Sequence, residues 1–538
     1  MFAGRLAEAA GLSVLATIVT AAIAAPVLRA PSERVFGMEI VGRHHDPFTV
    51  MQQFERPIAI GLYSQPVTDV TGALLARLSG AVAAYNWLVL LSFPLSAAAA
   101  YLLARHLTLS PPAAAVAAMA YAFSPFHLAH AAYHPHIAQT QWVPFYLLAL
   151  WRCLDKASPA AVGLLAAAAI AVTLSNFYAG LIVAVLTPVA VVAYWLFRSD
   201  LRQLGITAGS LVLIAALGMA YVSYTAGDVV ANRAAFAFPR ADLFRYSAKW
   251  WSYLIPPVEH PLLGGSAQRV WSGVGVREGL LEQQVSLGWG IIALGLVAFV
   301  CWLRNPRFVS GPPGLPFVPV LVIVAVAALI CSLSPERTIG AFTFVRPSAL
   351  LYNVVPMFRS YARFGVVVQL MAALLAGIGV DALRRAGHRS VRGVCVALLA
   401  LCAAEYAVWP SALWRDVLPT TAHRWIMRQP GRVRALDCTP LDQESESVQW
   451  LTGYRVTLLP GPGQSGSIPS CSDAQLSRAL AANGYTHVLV RNHARPGDGP
   501  SPADRPVPAG LGLAARFADG LVFAVREPTP ASGPGEQP

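Results

Sequence analysis

Long apolar runs separated by short polar breaks occupy most of the chain. They fall at about 8–29, 81–104, 111–126, 137–153, 159–176, 178–197, 205–226, 285–303, 315–333, 362–383 and 391–411. A helix needs about 20 mostly apolar residues to cross a bilayer, so the pattern predicts about eleven spans. The run at 111–126 is short and the one at 137–153 contains Pro144, which predicts tilted or broken helices shielded by their neighbours. After Pro410 the pattern changes to soluble α/β: strands near 432–437, 485–491 and 520–526, and an amphipathic helix near 473–483. Ser472-Asp473 reads as that helix's cap and Asn483-Gly484 as its stop. Residues 528–538 are rich in Pro, Gly and Ser and are expected to be disordered.

The fold class expected is therefore an all-α polytopic membrane protein, spanning residues 1–411, with a small α/β domain at 412–527. The run at 8–29 has no clean cleavage site before Pro31 and more spans follow it, so it reads as an uncleaved anchor rather than a signal peptide.

Basic residues orient the spans. Arg105, Arg152 with Lys156, Arg198 with Arg202, Arg304 with Arg307, and Arg384, Arg385, Arg389 and Arg392 fall in one alternating set of short loops. Short loops rich in Lys and Arg face the cytoplasm, which places the amino terminus inside and the tail outside. The outer side then receives every long, varied segment: 30–80, the histidine-rich turn 127–136, 227–284, 334–361 and the tail. In a bacterium that side is the periplasmic face of the inner membrane.

Composition agrees with a membrane chain. It is 56% hydrophobic and 12% charged, with a mean hydropathy of +0.54, about half the charge of a soluble domain. The net charge of +12 is spread over the loops instead of gathered on one face, which argues against nucleic-acid binding. Cys153, Cys301, Cys331, Cys395 and Cys402 lie in or near spans, where a thiol is a small apolar filler. Cys438 and Cys471 form the one pair in the tail, and an oxidising compartment predicts a disulfide between them.

Four segments carry candidate chemistry. The first outer loop reads Arg43-His44-His45-Asp46-Pro47-Phe48, then Glu55-Arg56-Pro57 and Thr68-Asp69. A carboxylate there can serve as general base on an acceptor hydroxyl or hold a divalent cation, and caps and surface salt bridges account for the same residues equally well. His127, His130, His134 and His136 form the second group. The first three share one face if their helix continues toward Pro135, and the set suits a metal, a lipid phosphate or packing. Arg346, Arg359 and Arg363, with Tyr361, stand at the outer mouth of the tenth span, where topology does not require them. Guanidinium groups there suit a phosphate, and interfacial snorkelling is the alternative. In 227–284, Asp228, Asp242, Arg245, Lys249-Trp250-Trp251 and Glu259-His260 suit an interfacial helix or a sugar. No Walker loop, Rossmann glycine pattern, nucleophile elbow or HExxH motif occurs.

Several stretches together resemble a family. They are His45-Asp46-Pro47, Tyr85-Asn86-Trp87-Leu88, Phe123-Ser124-Pro125-Phe126-His127, Gln141-Trp142-Val143-Pro144, Tyr253-Leu254-Ile255-Pro256-Pro257, Pro356-Met357-Phe358-Arg359 with Arg363-Phe364, and Gly484-Tyr485-Thr486-His487-Val488. The arrangement resembles the GT-C-type polytopic glycosyltransferases, especially the bacterial YfhO-like and dolichyl-phosphate-mannose-transferase-like membrane proteins. That resemblance implies a polyprenyl-phosphate sugar donor, an outer-face active site and a catalytic acid in the first outer loop. Residue by residue, it points to Asp46, with Asp69 second. Many members carry two adjacent acidic residues in this loop, whereas here His45 precedes Asp46.

The function expected is sugar transfer from a polyprenyl-phosphate donor to an envelope or periplasmic acceptor, whether glycan, lipid or protein. Asp46 would take the acceptor's proton. Arg359 and Arg363, with His130, His134, Arg56 and His45, would contact the substrate or its lipid phosphate. The cofactor compatible with this chemistry is a divalent cation, Mg or Mn. A transporter of lipid-linked intermediates is the alternative, disfavoured by charge-free spans and the lack of repeats; a non-catalytic scaffold of envelope assembly is the third reading.

Overall fold

The structure, a computed structural model, describes residues 2–37, 46–54, 65–198, 200–276, 279–305, 317–386, 389–417, 420–438, 448–449, 451–460, 476–491 and 511–525, without the side chains of 2, 3, 46, 198, 416 and 460. A helix lies in each of the eleven apolar runs: Phe2–Ile23, Ala81–His106, Pro111–Ala122, Trp142–Asp155, Pro159–Ser175, Phe177–Arg198, Leu201–Thr225, Trp289–Arg304, Phe317–Ser332, Gly365–Arg385 and Arg389–Glu405. Six stretches are long and apolar enough to cross a membrane: Gly4–Ile23, Ala81–His106, Phe177–Phe197, Leu201–Thr225, Tyr361–Arg385 and Arg389–Ala412. Pro159–Ser175, Trp289–Arg304 and Phe317–Ser332 are apolar but shorter. Length and composition thus support six spans among the described residues, against the eleven expected from the runs.

Local sequence explains where the helices start and how closely they pack. Pro111, Pro125 and Pro159 each open a helix behind a serine, and the Ser124 and Ser158 side chains accept from the backbone N–H three residues on. Proline at the first helical position lacks only an N–H that would go unused there. Pro144 falls in the first turn of its helix, so it breaks nothing. Gly379 lets Gly365–Arg385 close on Trp289–Arg304, because a Cβ there would lie 2.0 Å from the Leu294 carbonyl oxygen. Small residues at such crossings allow backbones to approach in a membrane. Both Glu405 carboxylate oxygens cap the start of Trp289–Arg304, accepting from Trp289 N at 2.8 Å and Gly290 N at 2.9 Å.

Contacts divide the chain into two units, one of residues 1–41 and 53–415, the other of 42–52 and 416–538. The short helix Asp46–Gln53 therefore groups, except for its last residue, with the second unit.

The second unit contains a five-stranded sheet. Its order is Val456–Pro460, Val433–Asp437, His487–Arg491, Gly520–Val525, Leu511–Phe517. The first three strands run parallel and the last two antiparallel to their neighbours. Residues alternate between two apolar clusters: Ala435, Leu489 and Val522 pack on one face with Ile426, while Leu436, Val488 and Phe523 pack on the other with Leu480. Parallel strands need such cover on both faces. The helix Leu476–Ala482 ends ahead of Gly484, whose φ of 69° suits a residue without a side chain. Cys438 is disulfide-bonded and Cys153, Cys301, Cys331, Cys395 and Cys402 are free; Cys471 lies outside the described residues.

Candidate functional site

A buried polar cluster of the first unit is assembled from three distant parts of the chain. The first is the helix Pro125–Ala131 and the turn after it. This helix stops at Ala131, four residues before Pro135, so the expected single face of three histidines does not form. His127 turns away: its Nε2 lies 2.9 Å from Ser92 Oγ and its ring stacks on Phe93 at 4.3 Å. His130 and His134 stay together, joined by a backbone bond from His134 N to His130 O at 2.7 Å, with their Nδ1 atoms 3.2 Å apart.

The second part is Glu282, in the 3-10 turn Leu281–Gln283 just ahead of the helix Trp289–Arg304. Its neighbours pin this stretch. Gln283 accepts from Ser252 Oγ at 2.9 Å and donates to Ser247 O at 2.9 Å, and Gln369 donates to the Val285 and Ser286 carbonyls. Buried polar side chains satisfied this fully hold a backbone in one place.

The third part is Arg363, in the 3-10 turn Tyr361–Phe364 that leads into Gly365–Arg385. Its Nη2 lies 2.6 Å and its Nε 3.0 Å from Glu282 Oε1, and its guanidinium stands 4.1 Å from the centre of the Tyr178 ring. Glu282 Oε2 faces His130 Nε2 at 3.8 Å. The His130, Glu282 and Arg363 side chains are 1%, 5% and 8% exposed, so the charges are compensated inside the protein. Burial holds His130 well below the usual histidine range, and the charges of His134 and Arg363 add to the effect. His127 is held at about 4, again chiefly by burial. Both are neutral imidazoles near pH 7.

Arg363 and Tyr178 also line a cavity whose other walls include Phe126, Ile137, Val143 and Ile182. The cavity is small and mostly apolar, with Thr140, Asn176 and the Arg363 guanidinium as polar members of its lining.

Arg359 is not in this cluster. It pairs with Asp242 at 2.9 Å and lies over Phe238 at 4.2 Å and Tyr246 at 4.9 Å. Asp69 sits elsewhere again, in the first turn of the helix Pro66–Ser79, where Oδ2 accepts from Gln65 N at 2.9 Å. Burial raises its pKa to about 6, against the lowering by that bond. The same turn docks on the junction before Tyr178: Thr68 donates to Ser175 O at 2.7 Å and Gln65 Oε1 accepts from Phe177 N at 2.8 Å. Asp46 opens the helix Asp46–Gln53. His45 and Arg56 lie outside the described residues. Sequence reading missed Glu282 and Tyr178; the signal for Glu282 was the polar triplet Glu282-Gln283-Gln284 abutting an apolar run.

The fold is that of the GT-C-type polytopic membrane glycosyltransferases. It is similar to the arabinofuranosyltransferase AftD from Mycobacteria, with a TM-score of 0.53 and 15% identity over 96% of this chain. The R1389S mutant of that protein gives 0.51 and 14% over 96% of this chain. This chain spans 40% and 41% of the length of those two structures. ArnT from Cupriavidus metallidurans bound to undecaprenyl phosphate gives 0.40 and 14%, covering 99% of each chain. Residues 46–407 match the family model described as Domain of unknown function (DUF6311), and the chain belongs to that family. No curated protein matches the sequence.

Proposed function

We propose that this chain is a membrane glycosyltransferase that moves a sugar from a polyprenyl-phosphate-linked donor to an envelope acceptor. The observation that carries this reading is Arg363 in the lining of a mostly apolar cavity, fixed there by Glu282 and Tyr178. A rigidly held guanidinium suits the phosphate of a lipid-linked donor. In the transfer, an acceptor hydroxyl attacks the anomeric carbon, the bond from that carbon to the phosphate oxygen breaks, and polyprenyl phosphate departs with the electron pair. A preorganised cation beside the leaving phosphate stabilises the charge that develops there.

Asp46 is the base in this reading, on its sequence position after the first apolar run. Asp69 is the weaker candidate because its carboxylate already holds a helix start. The reading also takes all eleven apolar helices as spans, with the amino terminus in the cytoplasm and the tail in the periplasm of a bacterial inner membrane, and Cys438 joined to Cys471. Transfer from radiolabelled polyprenyl-phosphate sugars is to be measured in membranes carrying wild type, Asp46→Asn and Arg363→Lys. The expected result is transfer by wild type, loss of most of it in Asp46→Asn and a drop of at least tenfold in Arg363→Lys. Full activity in Arg363→Lys would sink the phosphate role.

A further inference from the structure

We propose that His130, His134 and Glu282 form a binding site for a divalent transition metal of the zinc type. One ligand atom from each lies within 4.8 Å of the other two, and all three residues are buried. The inference rests on this ligand geometry alone and does not depend on sugar transfer.

The spacing of the two imidazoles is the first argument. Two ligands on one tetrahedral ion, each at about 2.0–2.1 Å, lie about 3.3 Å apart. The Nδ1 atoms of His130 and His134 are 3.2 Å apart, so both rings already turn a nitrogen toward one point. The carboxylate is the second argument. Glu282 offers a carboxylate oxygen within 4.8 Å of one ring nitrogen of each histidine, and Arg363 holds that carboxylate in place by donating to both of its oxygens. A ligating carboxylate held by an outer hydrogen-bond donor is the usual arrangement around bound metals.

Two imidazoles and one carboxylate leave a fourth position open, as in zinc sites that do chemistry. This donor set favours zinc over manganese, because imidazole suits the softer ion and zinc stands higher in the affinity order. The charge of Arg363 opposes the metal, so a filled site would draw an anion into the open position.

The test uses full-length protein in detergent, without a polyhistidine tag and stripped with a chelator, titrated separately with Zn²⁺ and Mn²⁺ by calorimetry. Wild type is expected to bind one equivalent of Zn²⁺, more tightly than Mn²⁺. Affinity should fall at least tenfold in His130→Gln and in His134→Gln. Thermal unfolding without metal shows that each variant folds, and added Zn²⁺ should raise the midpoint of wild type but of neither variant. No binding by wild type, preference for Mn²⁺, or equal Zn²⁺ affinity in both folded variants would overturn the assignment.

Discussion

Arg363 grips Glu282 through two nitrogens, with Nη2 at 2.6 Å and Nε at 3.0 Å from Oε1, and both side chains are buried. A guanidinium fork fixes the carboxylate in direction as well as distance. The pair joins the turn before Trp289–Arg304 to the turn before Gly365–Arg385, so it fixes the position of Arg363 in the lining of the cavity.

Removing one member strands the other as an uncompensated buried charge, a change that costs about 3–5 kcal/mol. Glu282→Gln and Arg363→Met are each expected to lower the thermal midpoint, and the double variant by clearly less than the sum of the two. A double-mutant cycle on thermal unfolding measures the coupling. Additive losses would mean that the pair contributes no interaction of its own.

The histidines of this site were legible because four occur within ten positions of one turn, a density that composition does not explain. Their division was not legible, because it depends on Ser92 and Phe93 reaching His127 from another helix. Glu282 was hidden for a similar reason: its partners His130 and Arg363 come from remote sequence. Arg359 and Arg363 were read together at the mouth of the tenth span, but 359 and 360 are irregular and Tyr361–Phe364 is a 3-10 turn, and the two arginines meet different carboxylates. In the second unit, the strand Val433–Asp437 is apolar enough to read, while Leu511–Phe517 spends Gly512, Ala514, Ala515 and Arg516 on a lightly covered edge.

Asp69 gives a pH-dependent test of its role. Its folded pKa is raised to about 6, so the folded state holds this proton more tightly than the unfolded chain. Its contribution therefore disfavours folding increasingly as pH rises from about 4 to about 6, then levels off. Asn can still accept from Gln65 N and carries no charge. Asp69→Asn should raise the thermal midpoint at pH 7.5, show little gain at pH 4, and leave sugar transfer largely intact. Loss of transfer in this variant would instead return Asp69 to the list of bases.

Arg359 separates a structural pair from a substrate contact. Its side chain is 36% exposed, and a pair of that kind contributes about 0–1 kcal/mol. Arg359→Gln is expected to shift the thermal midpoint by no more than a few degrees. If Arg359 meets the donor phosphate, transfer falls tenfold or more in the same folded protein. Unchanged transfer would leave Arg363 as the sole cation of the proposed phosphate site among the described residues.

Asp437 and Arg491 carry the corresponding burden in the second unit. They lie at the ends of adjacent parallel strands, with Nη2 3.0 Å from Oδ2, and both side chains are 0% exposed. His423 Nε2 stands 3.8 Å from the same oxygen. Burying two charges inside a small sheet gains little net stability, but losing only one is severe, at about 3–5 kcal/mol. Arg491→Met is expected to loosen this sheet without touching the helices of the first unit. Limited proteolysis of the full chain should cut within 416–525 in the variant and not in wild type. Asp437→Leu combined with Arg491→Met replaces the pair by apolar volume and should recover most of the resistance. Failure of the double variant to recover would show that the pair specifies the sheet's packing instead of merely cancelling its own charges.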